Sequence, residues 1–305
     1  MNESYSLYPF HVFRLVARLG SVTRAASELF ISQPAVSAHL KAVERRFGET
    51  LFERTPRGMT LTSVGRDVLE QIDRLFALYE ELPDVVEASR GRIRGEVSLA
   101  ASSTPGTYLV PRLLRQFQGQ YPEAKTNLMV GGTAKVLQWL QEYRAPLGII
   151  GETREGENLH KLKIGCDIMS LVTAPDNPIA EIENLQPEDL CSQTLFIRES
   201  GSSTREAART VLGDLLPAFG RILEIPNNET IKQSVAAGLG VAVLSSWSIE
   251  LEQKAGRLIC AADARFQKYR NFYLVRREDR TLTGIAAVMW EYLKQCRTEI
   301  PSSES

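Results

Sequence analysis

Apolar positions recur at three- and four-residue spacing over roughly the first ninety residues, and in short alternating runs separated by turn residues after that. Leu7 to Leu19 predicts a helix on the recurrence of Phe10, Phe13, Val16 and Ala17, and Gly20 ends it. Ser21 is placed to cap a second helix through Leu29, in which Ala25 and Ala26 leave room for a close helix crossing. Phe30, Ile31 and Ser32 make a short connection. Ser32 then caps a third helix, Gln33 to Phe47, with Pro34 in the first turn where its missing N–H costs nothing. Val36, Leu40, Val43 and Phe47 form its expected inner face, and the 4, 4 spacing of Gln33, Ser37 and Lys41 gathers them on the opposite side. Beyond Gly48, the runs Leu51–Arg54 and Met59–Thr62 flank the turn Thr55-Pro56-Arg57-Gly58 and predict a small hairpin, with Arg54 and Arg57 at its tip.

From Ser63 to about Arg90 the period shortens to 3.5. Val68, Ile72, Leu75, Tyr79, Leu82 and Val86 form a heptad seam on a helix about 40 Å long. Such a seam pairs with a second copy of itself or packs on the rest of its own chain. Pro83 is expected to kink or end the helix, because it lacks an N–H and crowds the preceding turn. Gly91 and Gly95 mark a domain boundary.

Past that boundary a strand, a hydroxyl or glycine cluster and a helix repeat. Glu96–Ala101 leads into Ser102-Ser103-Thr104 and a helix from Thr107 to Phe117, and Thr126–Val130 leads into Gly131-Gly132-Thr133 and a helix to Tyr143. Short strands follow at Leu147–Ile150, at Leu195–Arg198 before Ser202-Ser203-Thr204, at Ile222–Ile225 and at Phe272–Val275. This alternation predicts a parallel, doubly wound α/β arrangement, with ligands beyond the strand C-termini. Ser102, Ser103, Thr104, Thr133, Ser202, Ser203 and Thr204 are the candidate effector-binding residues, since hydroxyls and free N–H groups at helix N-termini suit a small anion. The same residues also serve as ordinary helix caps. Arg198 or Arg205 can neutralise the anion. Gly238-Leu239-Gly240 precedes a strand, where a dinucleotide motif would follow one, and reads as a helix end and turn.

Composition narrows the function classes. The chain has 305 residues, 43% hydrophobic and 24% charged, enough for about two globular domains. The net charge of −1 hides an asymmetry: residues 1–66 carry +4 and residues 67–90 carry −5. A basic head on an acidic rod suits phosphate-backbone binding. The four cysteines are far apart and there are three histidines, so no disulfide frame and no metal site are expected. No segment reads as a membrane span or a secretory signal, and a cytoplasmic address is expected. A phosphate-cradling lysine motif and a nucleophile elbow are both missing from the sequence. No catalytic residues are therefore assigned, and no cofactor is expected.

Periodicity alone leaves a helical bundle with a surface hairpin and a winged helix-turn-helix equally open. Sequence detail separates them. Phe13–Leu15, Gly20-Ser21-Val22, Ala25-Ala26-Ser27-Glu28-Leu29 and Ser32-Gln33-Pro34-Ala35-Val36-Ser37 are followed by Leu40, Leu51-Phe52-Glu53-Arg54 and Leu61-Thr62 with Gly65. In this order they resemble the N-terminal domain of the LysR-type transcriptional regulators. The resemblance implies a winged helix-turn-helix over 1–62, a linker and dimerisation helix over 63–91, and an effector-binding domain over 92–305 with a type 2 periplasmic-binding-like α/β fold. That domain would have two subdomains, 92–163 with 268–295, and 164–267. The implied partners are double-stranded promoter DNA, a homodimer or homotetramer, and a small-molecule effector, with RNA polymerase among those admitted. The candidate DNA-contacting set is Arg24, Ser32, Gln33, Pro34, Ser37, Lys41, Arg54 and Arg57, with Gln33 matched to an adenine edge and Lys41 to phosphates. Ala38 stands where many relatives carry a longer polar side chain. An α/β enzyme and an exported solute-binding protein are the alternative readings.

Overall fold

The computed structural model of the protein describes residues 6–56, 58–151 and 158–296. The chain divides into two compact units, with the boundary between Leu82 and Pro83. In the first, helices α1 (Tyr8–Leu19), α2 (Val22–Leu29) and α3 (Gln33–Phe47) precede an antiparallel hairpin, β1 (Phe52–Thr55) and β2 (Gly58–Leu61), and helix α4 (Ser63–Ser89). Local chemistry sets these limits. Gly20 and Gly48 take left-handed conformations after α1 and α3, while the Ser21 and Ser32 hydroxyls accept from the Arg24 and Ala35 N–H groups to start α2 and α3. Glu44 of α3 accepts from the Leu51 and Phe52 N–H groups at 2.9 and 3.3 Å, which ties the hairpin to that helix. At the other strand the Met59 N–H reaches the Gly20 carbonyl at 2.8 Å, and a β-carbon on Gly58 (φ +123°) would stand only 2.4 Å from that oxygen.

Phe13, Val16, Val36, Leu40, Val43, Leu51 and Phe52 fill this unit's core. Phe47, expected inside, is 46% exposed and stacks on Phe10 at the rim, because α3 ends as it leaves the core. Two of the predicted seam residues are also reassigned. Ile72 is buried and Val68 half-buried within the unit's own core, where α4 packs with Phe76. Beside them Arg14 of α1 forms an ion pair with buried Asp73 at 2.5 Å, and lies over the Phe76 ring. Leu75, Tyr79 and Leu82 remain exposed. The expected break at Pro83 does not occur: α4 runs through it. Proline's fixed φ is itself helical, and one lost N–H bond is tolerated in a helix of 27 residues.

The second unit is a mixed sheet of nine strands among the described residues, flanked by helices on both faces. Three parallel strands, β3 (Gly95–Ser102), β4 (Ala124–Gly131) and β5 (Leu147–Ile150), form one half, with β3 central. In the other half β7 (Thr194–Ile197) lies parallel to both β8 (Arg221–Glu224) and β9 (Val241–Ser245). Two long strands join the halves: β6 (Leu159–Thr173), which also pairs with the two-residue β10 (Ile259–Cys260), and β11 (Gln267–Arg277). They are antiparallel to each other, with a bulge at Phe272/Tyr273. The parallel pairing read from the alternation of strands and helices holds within each half, and antiparallel pairing enters only with the two crossing strands, since one strand must leave the first half and another return to it.

Helices α5 (Val110–Gln120) and α11 (Gly284–Gln295) pack on one face of the first half, and α6 (Thr133–Gln141) on the other. In the second half α8 (Ser203–Leu212) covers one face, α9 (Asn228–Ala236) and α10 (Ser246–Lys254) the other, with the single turn α7 (Pro187–Leu190) at the periphery. The crossing strands feed all four of these cores: Ile164, Phe272 and Leu274 under α5 and α11, Val275 under α6, Met169 and Leu171 under α8, and Val172 under α9 and α10. Residues 105–109 form a π-helical turn in which Gly106 lies against Val130, so the helix expected over Thr107–Phe117 begins as α5 only at Val110. As read from the sequence, Gly238 (φ +75°) closes α9 ahead of β9.

After α6 the chain turns through buried Tyr143 in a left-handed conformation; its hydroxyl donates to Asp279 at 3.1 Å. Arg277 grips the same carboxylate at 2.8 and 2.9 Å. Hydrogen bonds from Arg277, partly opposed by burial and aided by its charge and by Tyr143, hold the Asp279 carboxyl down at about 2. A depressed carboxylate contributes stability above its unfolded pKa and loses it as pH falls through the folded value. Asp279→Asn should therefore lower stability at neutral pH by about 1 kcal/mol after solvent screening. In urea titrations the gap to wild type should close between about pH 4 and pH 2.

Candidate functional site

Two surfaces collect the predicted residues, one in each unit. In the first, Gln33 and Pro34 open α3 and, with Lys41, are exposed, while Ser37 is half-buried. Ser32 is exposed with its hydroxyl committed to capping. Arg24 projects from the first turn of α2, and Arg54 is exposed on β1. Arg57 lies outside the described residues. Exposed Arg45 and Arg46 add charge to the last turn of α3. The unit presents a helix N-terminus bearing hydrogen-bonding side chains beside a basic hairpin, the arrangement that places a helix in a major groove.

In the second unit a cleft of about 480 Å³ opens where the N-terminus of α6 meets the N-terminus of α8, with β11 as its floor. That volume suits a small metabolite. Thr133, Ser202 and Ser203 line it, together with Leu137, Met169, Lys268, Tyr269 and Arg270. The two helix ends approach closely: Ala134 in the first turn of α6 is 3.4 Å from where a β-carbon on Gly201, ahead of α8, would stand, and Ser203 Oγ is 2.9 Å from the corresponding point on Gly151, just after β5.

The seven predicted hydroxyls divide by what they touch. Ser202 accepts from the Thr204 N–H at 3.3 Å, so it caps α8. Ser103 donates to the Gly131 carbonyl at 3.3 Å, and Thr204 accepts from Arg270 at 3.4 Å. Ser203 lines the cleft half-buried. Ser102, Thr104 and Thr133 are buried, and their hydroxyls have no hydrogen-bond partner among the described residues. Ser102 pairs in register with Gly131, two residues before Thr133, so these groups share the C-terminal edge of adjacent strands. Three unsatisfied buried hydroxyls on one edge are costly without a ligand or water to receive them.

Arg198 and Arg205 do not line the cleft. Arg198 is buried, donating to Glu199 at 2.6 and 2.8 Å and to Asn228 at 2.6 Å, while Arg205 donates to the Arg198 carbonyl at 2.8 Å and to Glu224. The cations that do line it are Lys268 and Arg270, which the sequence reading missed by starting the last strand at Phe272. Lys268 and Arg270, two apart, share a strand face, and extending the alternation would have found them. Arg270 is 2% exposed and stands opposite Asp167 on the neighbouring crossing strand, donating to it at 2.5 Å. Ser245 and Ser246 donate to the other oxygen of Asp167 at 2.8 and 3.3 Å. The Arg270 Nε–H has no partner among the described residues. On the other face of the sheet, burial raises the Tyr108 phenol pKa, partly offset by Lys232, which sits between Glu229 and Glu252 at 2.8 and 2.9 Å.

Residues 7–66 match the model of the bacterial regulatory helix-turn-helix protein, lysR family, and residues 90–297 match that of the LysR substrate binding domain. The chain belongs to the LysR family of transcriptional regulators. It is 31% identical over 95% of its length, and 95% of the relative's, to the HTH-type transcriptional activator CmpR of Synechocystis sp. (strain ATCC 27184 / PCC 6803 / Kazusa). The regulatory domain of Synechocystis PCC6803 CcmR in complex with 2-PG superposes with a TM-score of 0.62 at 27% identity, covering 68% of this chain and all of that one. Full-length CbnR complexed with its target DNA shares the fold, with a TM-score of 0.65 at 20% identity, covering 95% and 99% of the two chains. The protein is thus a DNA-binding transcriptional regulator with an effector domain, and its relatives are regulators rather than enzymes. No helix among the described residues is long and apolar enough to cross a membrane. Among those residues no cluster of three or more His, Cys, Asp or Glu side chains could hold a metal ion.

Removing one member of a buried ion pair leaves the other uncompensated. Asp167→Ala should destabilise the second unit by about 3–5 kcal/mol, read as a lower urea midpoint in far-UV circular dichroism.

Proposed function

We propose that this regulator binds promoter DNA through α3 and the hairpin, as a dimer, and responds to a small anionic metabolite held in the cleft between α6 and α8. The assigned segments are a DNA-binding head over 1–62, a linker helix over 63–91 and an effector domain over 92–305. Gln33 reads a base edge, with Ser37 beside it; Arg24, Lys41 and Arg54 hold phosphates; and Ser32 and Pro34 set the start of the reading helix. What supports this is the exposure of Gln33, Lys41 and Arg54 on the basic segment 1–66, which carries +4. For the dimer the support is the exposed apolar groove formed by Leu75, Leu78, Tyr79 and Leu82 with Leu7. Val68 and Ile72 serve the head's own core and are left out of that contact.

The effector assignment is carried by one observation: the buried Thr133 hydroxyl in the lining of the cleft has no partner among the described residues, and those of Ser102 and Thr104, at the same strand edge but outside that lining, have none either. An oxyanion supplies acceptors for such donors, and the N-terminal ends of α6 and α8 add favourable field. CcmR's regulatory domain was solved with 2-PG, so 2-phosphoglycolate is the first probe to test here.

Titration of the full-length protein with 2-phosphoglycolate and related phosphorylated acids should raise its melting temperature by mass action. Thr133→Val should remove most of that shift while leaving the unliganded melting temperature close to wild type. On DNA, Gln33→Ala should cost about 1–3 kcal/mol on the specific site and little on random duplex. Lys41→Ala should weaken both and reduce the salt slope by about one. Equal losses on specific and random DNA for Gln33→Ala would overturn its role as a base reader.

A further inference from the structure

Glu199 holds a position that the effector reading leaves unexplained. It lies in the connection between β7 and α8, next to Ser200 and Gly201 of the cleft wall. Its Oε1 is 3.8 Å from where a β-carbon on Gly132 would stand, at the mouth of α6. Gly132 is the N-cap of α6 and offers no side chain, and the buried hydroxyl of Thr133 beside it is unpartnered. The same carboxylate lies in the fork of Arg198, with Nε to Oε2 at 2.6 Å and Nη2 to Oε1 at 2.8 Å. Arg198 is buried and its Nη1 is fixed on Asn228 at the start of α9, so the guanidinium cannot follow the carboxylate if that group swings away. Glu199 itself is 31% exposed through its side chain and contributes to no core. The carboxylate is held by a bidentate guanidinium and lies close to an uncapped helix N-terminus, the two kinds of donor from which anion sites are built.

We propose that Glu199 is an internal counter-ion beside the cleft that keeps Arg198 out of its lining, so that the effector's anionic group reaches Arg198 and the start of α6 only by displacing it. The proposal rests on the reading of the cleft as an anion site and narrows the ligand class. A tethered carboxylate competes at an effective concentration of roughly millimolar or above. A free monocarboxylate offers the same chemistry without the tether and loses the exchange. A phosphate ester or another doubly charged oxyanion brings more charge and more acceptor oxygens to the same donors, and wins it. Hydrogen bonds from Arg198 and the charges of Arg198 and Arg205 outweigh partial burial and keep the Glu199 carboxyl below its usual range, so it is fully charged at neutral pH. Displacing it therefore requires an anion.

Calorimetric titration of the full-length wild type, Glu199→Gln, Glu199→Asp and Thr133→Val with 2-phosphoglycolate, inorganic phosphate and acetate tests this. Glu199→Gln should bind the two phosphates about tenfold more tightly than wild type and bring acetate into the measurable range. Glu199→Asp, with its shorter reach, should fall between the two, and it decides the matter if the glutamine variant does not fold. Unchanged or weaker phosphate binding in the Glu199 variants, with Thr133→Val still losing affinity, would make Glu199 a structural partner of Arg198 and leave the anion cleft standing. Failure of all four proteins to bind any of the three anions would remove the cleft reading and this proposal together.

Discussion

Arg270 and Asp167 face each other across the two strands that carry the chain between the halves of the effector domain, and both are almost completely removed from water. Desolvating two charges is expensive, and the cost is met only where geometry is good and the remaining polar atoms are served. Here Asp167 is served by Ser245 and Ser246 at the end of β9, and Arg270 by Thr204 in the first turn of α8. One ion pair thereby fixes three things: the register of β6 against β11, the place where β9 ends, and the position of the helix whose N-terminus forms one wall of the cleft. The Nε–H that it leaves over belongs to a residue of the cleft lining.

The head depends on a different kind of constraint. Its helices are short, and each is ended or begun by a residue that supplies a missing hydrogen bond or a left-handed turn: Gly20, Ser21, Ser32 and Gly48. With the limits set locally, the apolar faces have one way to meet. Glu44, reaching from α3 to the amides of Leu51 and Phe52, then carries the hairpin on the same helix that presents Gln33 and Lys41. Arg14 and Asp73 bind α1 to α4 at a buried site, which is why the apolar stripe of α4 is shared between the head's own core and the exposed groove further along.

Much of this was legible in the amino-acid sequence, for physical reasons that also mark where legibility stops. Caps, glycine stops and helical spacing act within a few residues, so the helices of the head and the capping of α8 by Ser202 could be read directly. Long-range facts could not. The sequence pattern of β6 led to no strand expectation, because from Ile164 to Thr173 the strand is buried almost without interruption and polar Asp167, Ser170 and Thr173 lie inside that stretch, so no alternation marks it. The same limit cut β11 short and hid Arg270. Arg205 looked like a free cation because its carboxylate acceptor, Glu224, lies 19 residues away in the chain, whereas the partner of Arg198, Glu199, is adjacent and only its second acceptor, Asn228, is 30 residues away. Val68 and Ile72 fit a heptad seam as well as they fit a core, and only the packing of α1 and α3 against them decides. Pro83 was judged by its local cost, which a long helix absorbs.

The contact between Gly58 and the Gly20 carbonyl reaches beyond this one hairpin. Because a main-chain donor, Met59, is seated on the turn between α1 and α2, and no side chain fits at Gly58, the base of the wing is clamped to the helical framework. A library that retargets this protein to new operators gains little from diversifying the wing's root. It should spend its diversity on the outward face of α3, which the framework leaves exposed.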